Sequence, residues 1–168
     1  MDWSGSQTGM ARRVLHIDIE YDFLLWALVT PLRDYRLCYY LNKLTDLELY
    51  RQRDLVVAQG KSGSRGEYAL YRGVNLLDRF RYYLLSNKSA VGQYRLLPEM
   101  RQADFFILLQ CPADNAWTDR VYSQLRAVQH IQTLFKVNVD ELAAKQNLIF
   151  DDEDILQDQD HSHSRSSL

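Results

Sequence analysis

Cysteine is scarce in this sequence, with only Cys38 and Cys111 present. Neither lies at metal-binding spacing from a second cysteine or a histidine, which excludes a disulfide framework and a thiolate zinc motif. Isolated cysteines of this kind usually serve as small buried hydrophobic side chains. Unpaired thiols fit a reducing compartment, and we therefore expect a cytoplasmic protein.

Long hydrophobic runs are also missing. The longest spans only residues 23–29, whereas a helix that crosses a bilayer needs roughly 20 apolar residues. The sequence therefore predicts no membrane partner. Hydrophobic residues still make up 46% of the chain, which is enough for a real core.

A strong net charge is the third absence, since the formal charge is only −2. The charge is nevertheless unevenly spread. Residues 10–150 carry 19 basic and 15 acidic side chains, whereas residues 151–168 carry one arginine and six acids. The surplus of four positive charges in the body is too small to indicate a dedicated nucleic-acid-binding protein.

Composition divides the chain into three segments. We predict a disordered extension at residues 1–11, one folded domain at 12–150 and a disordered acidic tail at 151–168. Met10 is a second candidate for the initiating methionine.

Hydrophobic periodicity predicts an α+β domain, with a mainly antiparallel sheet and two or three helices on one face. Short connections favour antiparallel neighbours. Thr30 and Pro31 read as the start of the first helix. Helices are predicted at residues 31–45, 115–128 and 139–147. Strands are predicted at residues 14–29, 54–58, 67–73, 78–88, 94–97, 104–110 and 130–137.

The stretch YRLLPEMRQADFFILLQ, residues 94–110, interrupts two predicted strands with a proline and a glutamate. Proline has no N–H group, so it cannot continue a central strand. We expect one helical turn after Pro98, with the Glu99 carboxylate capping free N–H groups at its start. We expect Asp104 to accept bonds from nearby amides. Ala103, Phe105 and Ile107 should share one face of a central strand that is buried on both sides.

Four phrases of the sequence, in this order, resemble those of the bacterial IPExxxVDY family. They are DYRLCYYLNK (34–43), YYLLSNK (82–88), LPEMRQADFF (97–106) and IQTLFKVNVDELAAKQNLIF (131–150). The resemblance covers roughly residues 14–150 and implies a small cytoplasmic protein to which no activity is attached. The motif residues are Leu97, Pro98, Glu99, Ala103, Asp104 and Phe105. Leu97, Ala103 and Phe105 replace the family's Ile, Val and Tyr, so chemistry that needs a phenol at position 105 is excluded.

The motif admits a structural and a functional interpretation. The structural one, which we favour, uses it as a strand end, a turn and a buried strand. The functional one makes Glu99 and Asp104 paired carboxylates or a docking site, but a general acid or base needs a perturbed environment and a close partner. The sequence shows neither, so we predict no catalytic residues.

Basic and aromatic residues alternate on predicted strands, a pattern that can bind single-stranded RNA by stacking and phosphate contact. This possible RNA or partner face comprises Arg72, Arg79, Arg81, Tyr83 and Arg95. No recognised RNA-binding signature accompanies it, so a solvated sheet face is the simpler interpretation.

His16, Asp18, Glu20 and Asp22 share one face of the first predicted strand and suggest a weaker alternative, a metal-dependent enzyme. Neighbours on one strand face lie about 6.6 Å apart, so a compact site would need other ligands. A solvated edge is simpler, and we predict no metal site and no cofactor. Our leading expectation is a non-enzymatic accessory module that binds another protein, because a tyrosine-rich sheet surface and the opposed charges of the body and the tail favour an interface.

Overall fold

The computed structural model describes residues 23–60, 62–113 and 115–149, so the predicted extension, the acidic tail and the His16–Asp22 pattern lie outside the described residues. The described chain forms an α+β fold with a six-stranded sheet, a two-stranded sheet and two α-helices, as the sequence predicted. The helices are α1 (Asp34–Leu44) and α2 (Ala116–Ala127). The strands are β1 (Leu24–Val29), β2 (Tyr50–Arg51), β3 (Leu55–Gln59), β4 (Ser64–Tyr68), β5 (Leu70–Asn75), β6 (Phe80–Ser86), β7 (Phe105–Gln110) and β8 (Thr133–Val137).

The large sheet has the strand order β2-β5-β6-β7-β1-β8, and each neighbouring pair is antiparallel. Strand β7 therefore lies inside the sheet, between β6 and β1. Its first five residues, FFILL, are all buried. A continuous apolar run is expected where both faces of a strand are covered, so the prediction of a central strand at this position is confirmed.

Different layers cover the two faces of the sheet. Both α-helices pack on one face, where Leu37 and Leu41 of α1 and Val121 and Leu125 of α2 meet the sheet. The opposite face is covered without an α-helix. Its cover comprises the β3–β4 hairpin, residues 96–103 and two short C-terminal 3-10 turns, Val139–Glu141 and Lys145–Leu148.

Several local predictions need correction. Helix α1 begins at Asp34 and not at Pro31, because Thr30 is held elsewhere: its hydroxyl donates to the His130 carbonyl (2.8 Å) and accepts from the Leu32 amide (3.3 Å). The predicted strand at 67–73 is two strands that separate at Ala69 and join different sheets. The predicted helix at 139–147 is replaced by the two 3-10 turns.

The strand predicted at residues 94–97 is also wrong. Only an isolated bridge between Lys88 and Arg95 forms there. The backbone amides of Leu96 and Leu97 bond to the carbonyl and the side chain of Asn87, both at 2.9 Å. The Leu96 bond is part of the bridge, whereas the Leu97 amide is taken by a side chain and Pro98 has no N–H group, so the pairing does not continue.

Candidate functional site

The family-like motif forms a tight turn, which we call the motif turn (residues 97–104). Pro98–Met100 is a 3-10 turn, as the proline led us to expect. The Met100 amide donates to the Leu97 carbonyl (3.0 Å), and the Ala103 amide donates to the Met100 carbonyl (3.1 Å). Leu97 and Ala103 are buried while Pro98 is exposed, so the turn is anchored by its ends.

A buried asparagine just after β6 holds the motif turn. Asn87 is 0% exposed. Its side-chain amide donates to the carbonyls of Met100 and Ala103, each at 2.9 Å, and its side-chain oxygen accepts from the Leu97 amide at 2.9 Å. Its backbone N–H donates to the Asp104 carbonyl at 2.9 Å. One side chain thus satisfies three backbone groups of the motif turn, as buried polar groups require.

Glu99 does not cap its own turn, contrary to the sequence prediction. Its Oε1 atom accepts a bond from the Ala144 amide at 2.9 Å, 45 residues further along the chain. No side-chain cap forms at the start of the 3-10 turn. The carboxylate therefore joins the motif turn to the C-terminal layer of the fold.

Asp104 joins the motif turn to the central sheet. Its Oδ2 atom accepts from the Thr30 amide and its own amide donates to the Leu28 carbonyl, both at 2.9 Å. The expectation that Asp104 accepts from an amide is confirmed, although the donor lies on the neighbouring strand connection. Glu99 and Asp104 thus accept bonds from amides of different segments and share no described hydrogen-bond partner.

The two remaining motif positions lie in the core. Phe105 is buried on the helix-covered face, together with Ile107. Ala103 packs in the core on the opposite face, so it does not share the face of Phe105 as predicted. The reason is that β7 begins only at Phe105, and strand alternation therefore does not extend back to Ala103.

One cleft of about 470 Å³ lies beside Asp104 and Phe105 and contains charges of both signs. Its acids are already engaged. Asp104 accepts from Thr30, Asp54 is paired with Arg51, and Asp34 accepts from the Tyr71 hydroxyl at 2.8 Å. The carboxylates of this cleft are thus held by neighbouring groups of the fold, and Lys88, which also lines the cleft, forms no described ion pair with them.

A second cleft of about 620 Å³ has a different character, and we call it the basic cleft. Lys88, Arg95 and Arg101 line it, together with Tyr94 and Pro98. No carboxylate occurs among its described lining residues. Its walls carry an excess of positive charge, which favours an anionic occupant.

The structure keeps Arg72, Arg81 and Tyr83 of the predicted RNA or partner face on one side of the sheet and places Arg79 and Arg95 elsewhere. Arg72 and Tyr83 are paired across β5 and β6, but Tyr83 is fully buried and cannot stack on a base. Arg81 is exposed further along β6, and Arg79 lies in the β5–β6 turn with a φ of 57°. Arg95 lies in the basic cleft.

Two exposed tyrosines lie on helix α1, and a third, Tyr50, lies on the edge strand β2 of the sheet (65% exposed). Tyr35 is 60% exposed and Tyr39 58%. The Lys43 ammonium lies 5.6 Å from the centre of the Tyr39 ring, within cation–π range. With Arg36, also exposed, these residues form what we call the tyrosine face. The sequence held a signal for it, because burial of Leu37 and Leu41 places positions 35 and 39 on the outer side of a helix.

No group of three or more His, Cys, Asp or Glu side chains among residues 23–149, apart from the undescribed positions 61 and 114, could hold a metal ion. Neither helix of this part of the chain is long and apolar enough to cross a membrane.

Both cysteines are buried free thiols. Burial raises the pKa of Cys38 to about 11, with a smaller contribution from the Asp34 charge, and burial raises the pKa of Cys111 to about 11. Thiolates are the reactive form of cysteine. These thiols are therefore suited to packing and poorly suited to nucleophilic chemistry.

A labelling experiment tests this conclusion. We expect iodoacetamide at pH 8 to modify neither thiol in the folded protein and both thiols in urea, as measured by intact-mass spectrometry.

Because the folded pKa values are raised, the stabilising contribution of the thiols is complete below about pH 8.5 and is lost as the pH rises toward 11. The melting temperature should fall across that range. Equal labelling rates with and without urea would contradict the prediction.

Comparison of the chain with protein-family models, with curated proteins and with solved structures found no match in any of the three. The function must therefore be inferred from the chain's own residues.

Proposed function

We propose that this chain is a non-enzymatic protein-interaction module and that its tyrosine face docks a partner protein. The observation that carries the proposal is the exposure of Tyr35 and Tyr39 side by side on α1, each more than half accessible. Tyrosine and arginine are enriched at protein interfaces and dominate their binding energy. The resemblance to the IPExxxVDY family stays a prediction.

A comparison of the two helices supports a specific role for α1. Both helices pack on the same face of the sheet. The exposed positions of α2 include Asp119, Arg120 and Ser123, which are ordinary solvated residues. Helix α1 instead has Tyr35 and Tyr39 at exposed positions that correspond to these exposed positions of α2. Packing of the core does not require them there, so a binding role accounts for them better.

Charge defines the chemistry of the partner. Arg33, Arg36 and Lys43 are exposed on or beside the tyrosine face. The acid at the start of the helix, Asp34, is directed inward to the Tyr71 hydroxyl. The face is therefore aromatic and positively charged. It suits a partner surface that combines carboxylates with apolar side chains.

Site-specific photo-cross-linking in the producing cells tests the proposal. A photoreactive phenylalanine analogue is placed at Tyr39, and in a second variant at Tyr35. We expect one discrete adduct of the same mass from both positions, because both side chains would lie within the interface. Mass spectrometry of the adduct then identifies the partner. The combined substitution Tyr39→Ala and Arg36→Glu should weaken binding of that purified partner by about tenfold or more.

Ser123 provides the matched control, since it is exposed on the other helix of the same layer. The photoreactive residue at this position should give no adduct of that mass. Adducts of equal yield from Tyr39 and Ser123, or none from either tyrosine position, would overturn the proposal. Each variant should retain the melting temperature of the unmodified protein, because only exposed side chains are changed.

A further inference from the structure

The basic cleft contains positive charge that the described chain does not match. No described residue forms an ion pair with Lys88, Arg95 or Arg101. The Nη1 atom of Arg95 is in addition buried and has no hydrogen-bond partner. Buried polar groups normally find a partner, and a guanidinium group pairs best with a carboxylate or a phosphate. The side chains of this cleft therefore suit an anion.

The described chain ends beside this cleft. The Asn147 side chain donates to the Leu96 carbonyl at 2.8 Å, and the Ala144 amide donates to Glu99 at 2.9 Å. Arg95 and Pro98 line the cleft, and Leu96 and Glu99 are the residues that directly follow them in the sequence. The C-terminal layer therefore brings the chain to the cleft wall a few residues before the described part ends at Ile149.

Four consecutive acids follow almost at once: Asp151, Asp152, Glu153 and Asp154. We propose that the basic cleft is the docking site of this acidic segment, residues 151–154, which neutralises Lys88, Arg95 and Arg101. This site lies across the sheet from the tyrosine face and does not depend on the function proposed for that face.

The lengths of chain involved allow this contact. Asp151 lies four residues after Asn147, and four extended residues span up to about 14 Å. Asn147 is itself bonded to the residue that follows Arg95, so only a short linker separates the acids from the cleft. A short linker gives a tethered segment an effective concentration in the millimolar range. A weak ionic contact is therefore sufficient to keep the cleft filled.

Zero-length carbodiimide cross-linking of the dilute full-length protein tests the proposal. The reagent joins a lysine amine to a carboxylate only when the two groups touch. We expect an intramolecular amide between Lys88 and the 151–154 segment, identified by peptide mass spectrometry, with a yield that does not change on dilution. High salt should lower the yield about fivefold or more, because the Debye length falls to about 3 Å at 1 M.

Two controls separate docking from random contact. Lys43, on the opposite side of the sheet, should give no link to the segment. Neutralising the four acids to Asn or Gln should abolish the Lys88 link, whereas neutralising Asp158 and Asp160 should leave it intact. Arg101 is exposed, and the substitution Arg101→Gln should reduce the yield of the link between Lys88 and the segment. Equal linkage of Lys43 and Lys88, or linkage only between two molecules, would overturn the proposal.

Single-stranded RNA is the competing occupant of the cleft and forms a second arm of the test. A fluorescent oligouridine should bind the unmodified protein about tenfold more weakly than the variant with four neutralised acids, because the tethered segment competes for the same charges. Equally tight binding to both proteins that is lost in the variant Lys88→Gln would show a cleft open to nucleic acid and would refute docking of the segment.

Discussion

Replacing Asn87 with alanine should lower the free energy of unfolding by about 3–5 kcal/mol. The substitution removes three hydrogen bonds at once and leaves the Leu97 amide and the carbonyls of Met100 and Ala103 without those bonds. An unsatisfied buried group costs about 1–3 kcal/mol. Urea unfolding followed by tryptophan fluorescence measures the loss.

Asn75→Ala is the matched control. Asn75 also accepts bonds from backbone amides, those of Leu77 and Asp78, but it does so in an exposed turn. Water can replace its contacts there, so the loss should be about 1 kcal/mol or less. Equal losses for the two alanine variants would show that Asn87 is an ordinary turn residue.

The variant Asn87→Asp separates the donor role from the acceptor role. Aspartate keeps an acceptor for the Leu97 amide but, when ionised, places negative oxygens against the Met100 and Ala103 carbonyls. Burial and these carbonyls raise its folded pKa above the unfolded value of about 3.9. The variant should therefore lose stability as the pH rises from 4 to 7, relative to the unmodified protein. An unchanged difference across that range would contradict the assignment.

Gly73→Ala should destabilise the protein by about 3 kcal/mol, the second large effect. A Cβ atom at position 73 would overlap the ring of Tyr82 and the backbone carbonyl oxygen of Glu48. Neither neighbour can move cheaply, because Tyr82 is buried and its hydroxyl accepts a bond from the Glu48 amide at 2.8 Å. Thermal unfolding monitored by circular dichroism measures the effect.

Gly60→Ala is the control, because it replaces a glycine without placing the new Cβ atom against a neighbouring residue. Gly60 has a φ of 69° but open space around the position of a Cβ atom. The substitution should therefore lower the free energy of unfolding only by the cost of holding alanine at a positive φ, about 1–2 kcal/mol. A larger loss at Gly60 than at Gly73 would show that steric overlap with Tyr82 is not the reason for glycine in β5.

Patterns that depend on immediate neighbours in the sequence predicted the structure well. The strand predicted at 78–88 is confirmed as β6, in which Phe80, Tyr82 and Leu84 pack on one face and Tyr83 and Leu85 on the other. The continuous apolar run of β7 indicated a central strand. The helix predicted at 115–128 is confirmed as α2, which begins after Asn115, whose side chain accepts from the Trp117 amide at 2.7 Å. Each of these features is decided within a few residues.

The predictions that were wrong concern groups whose partners are distant in sequence. Glu99 was expected to cap its own turn but accepts from Ala144. Thr30 was expected to begin a helix but bonds to His130. A local cap and a tertiary bond use the same side-chain oxygen, so local patterns cannot decide which forms.

The sequence by itself determined the class of fold, the central place of β7 and the turn at Pro98, because hydrophobic periodicity and the missing proline N–H act locally. Only the tertiary structure decided which polar groups are matched. It buried Tyr83, exposed Tyr35 and Tyr39, placed Asn87 under the motif turn and left the basic cleft beside the end of the described chain. The physical reason is that burial and hydrogen bonding depend on what packs across the sheet, and those partners lie tens of residues away in sequence.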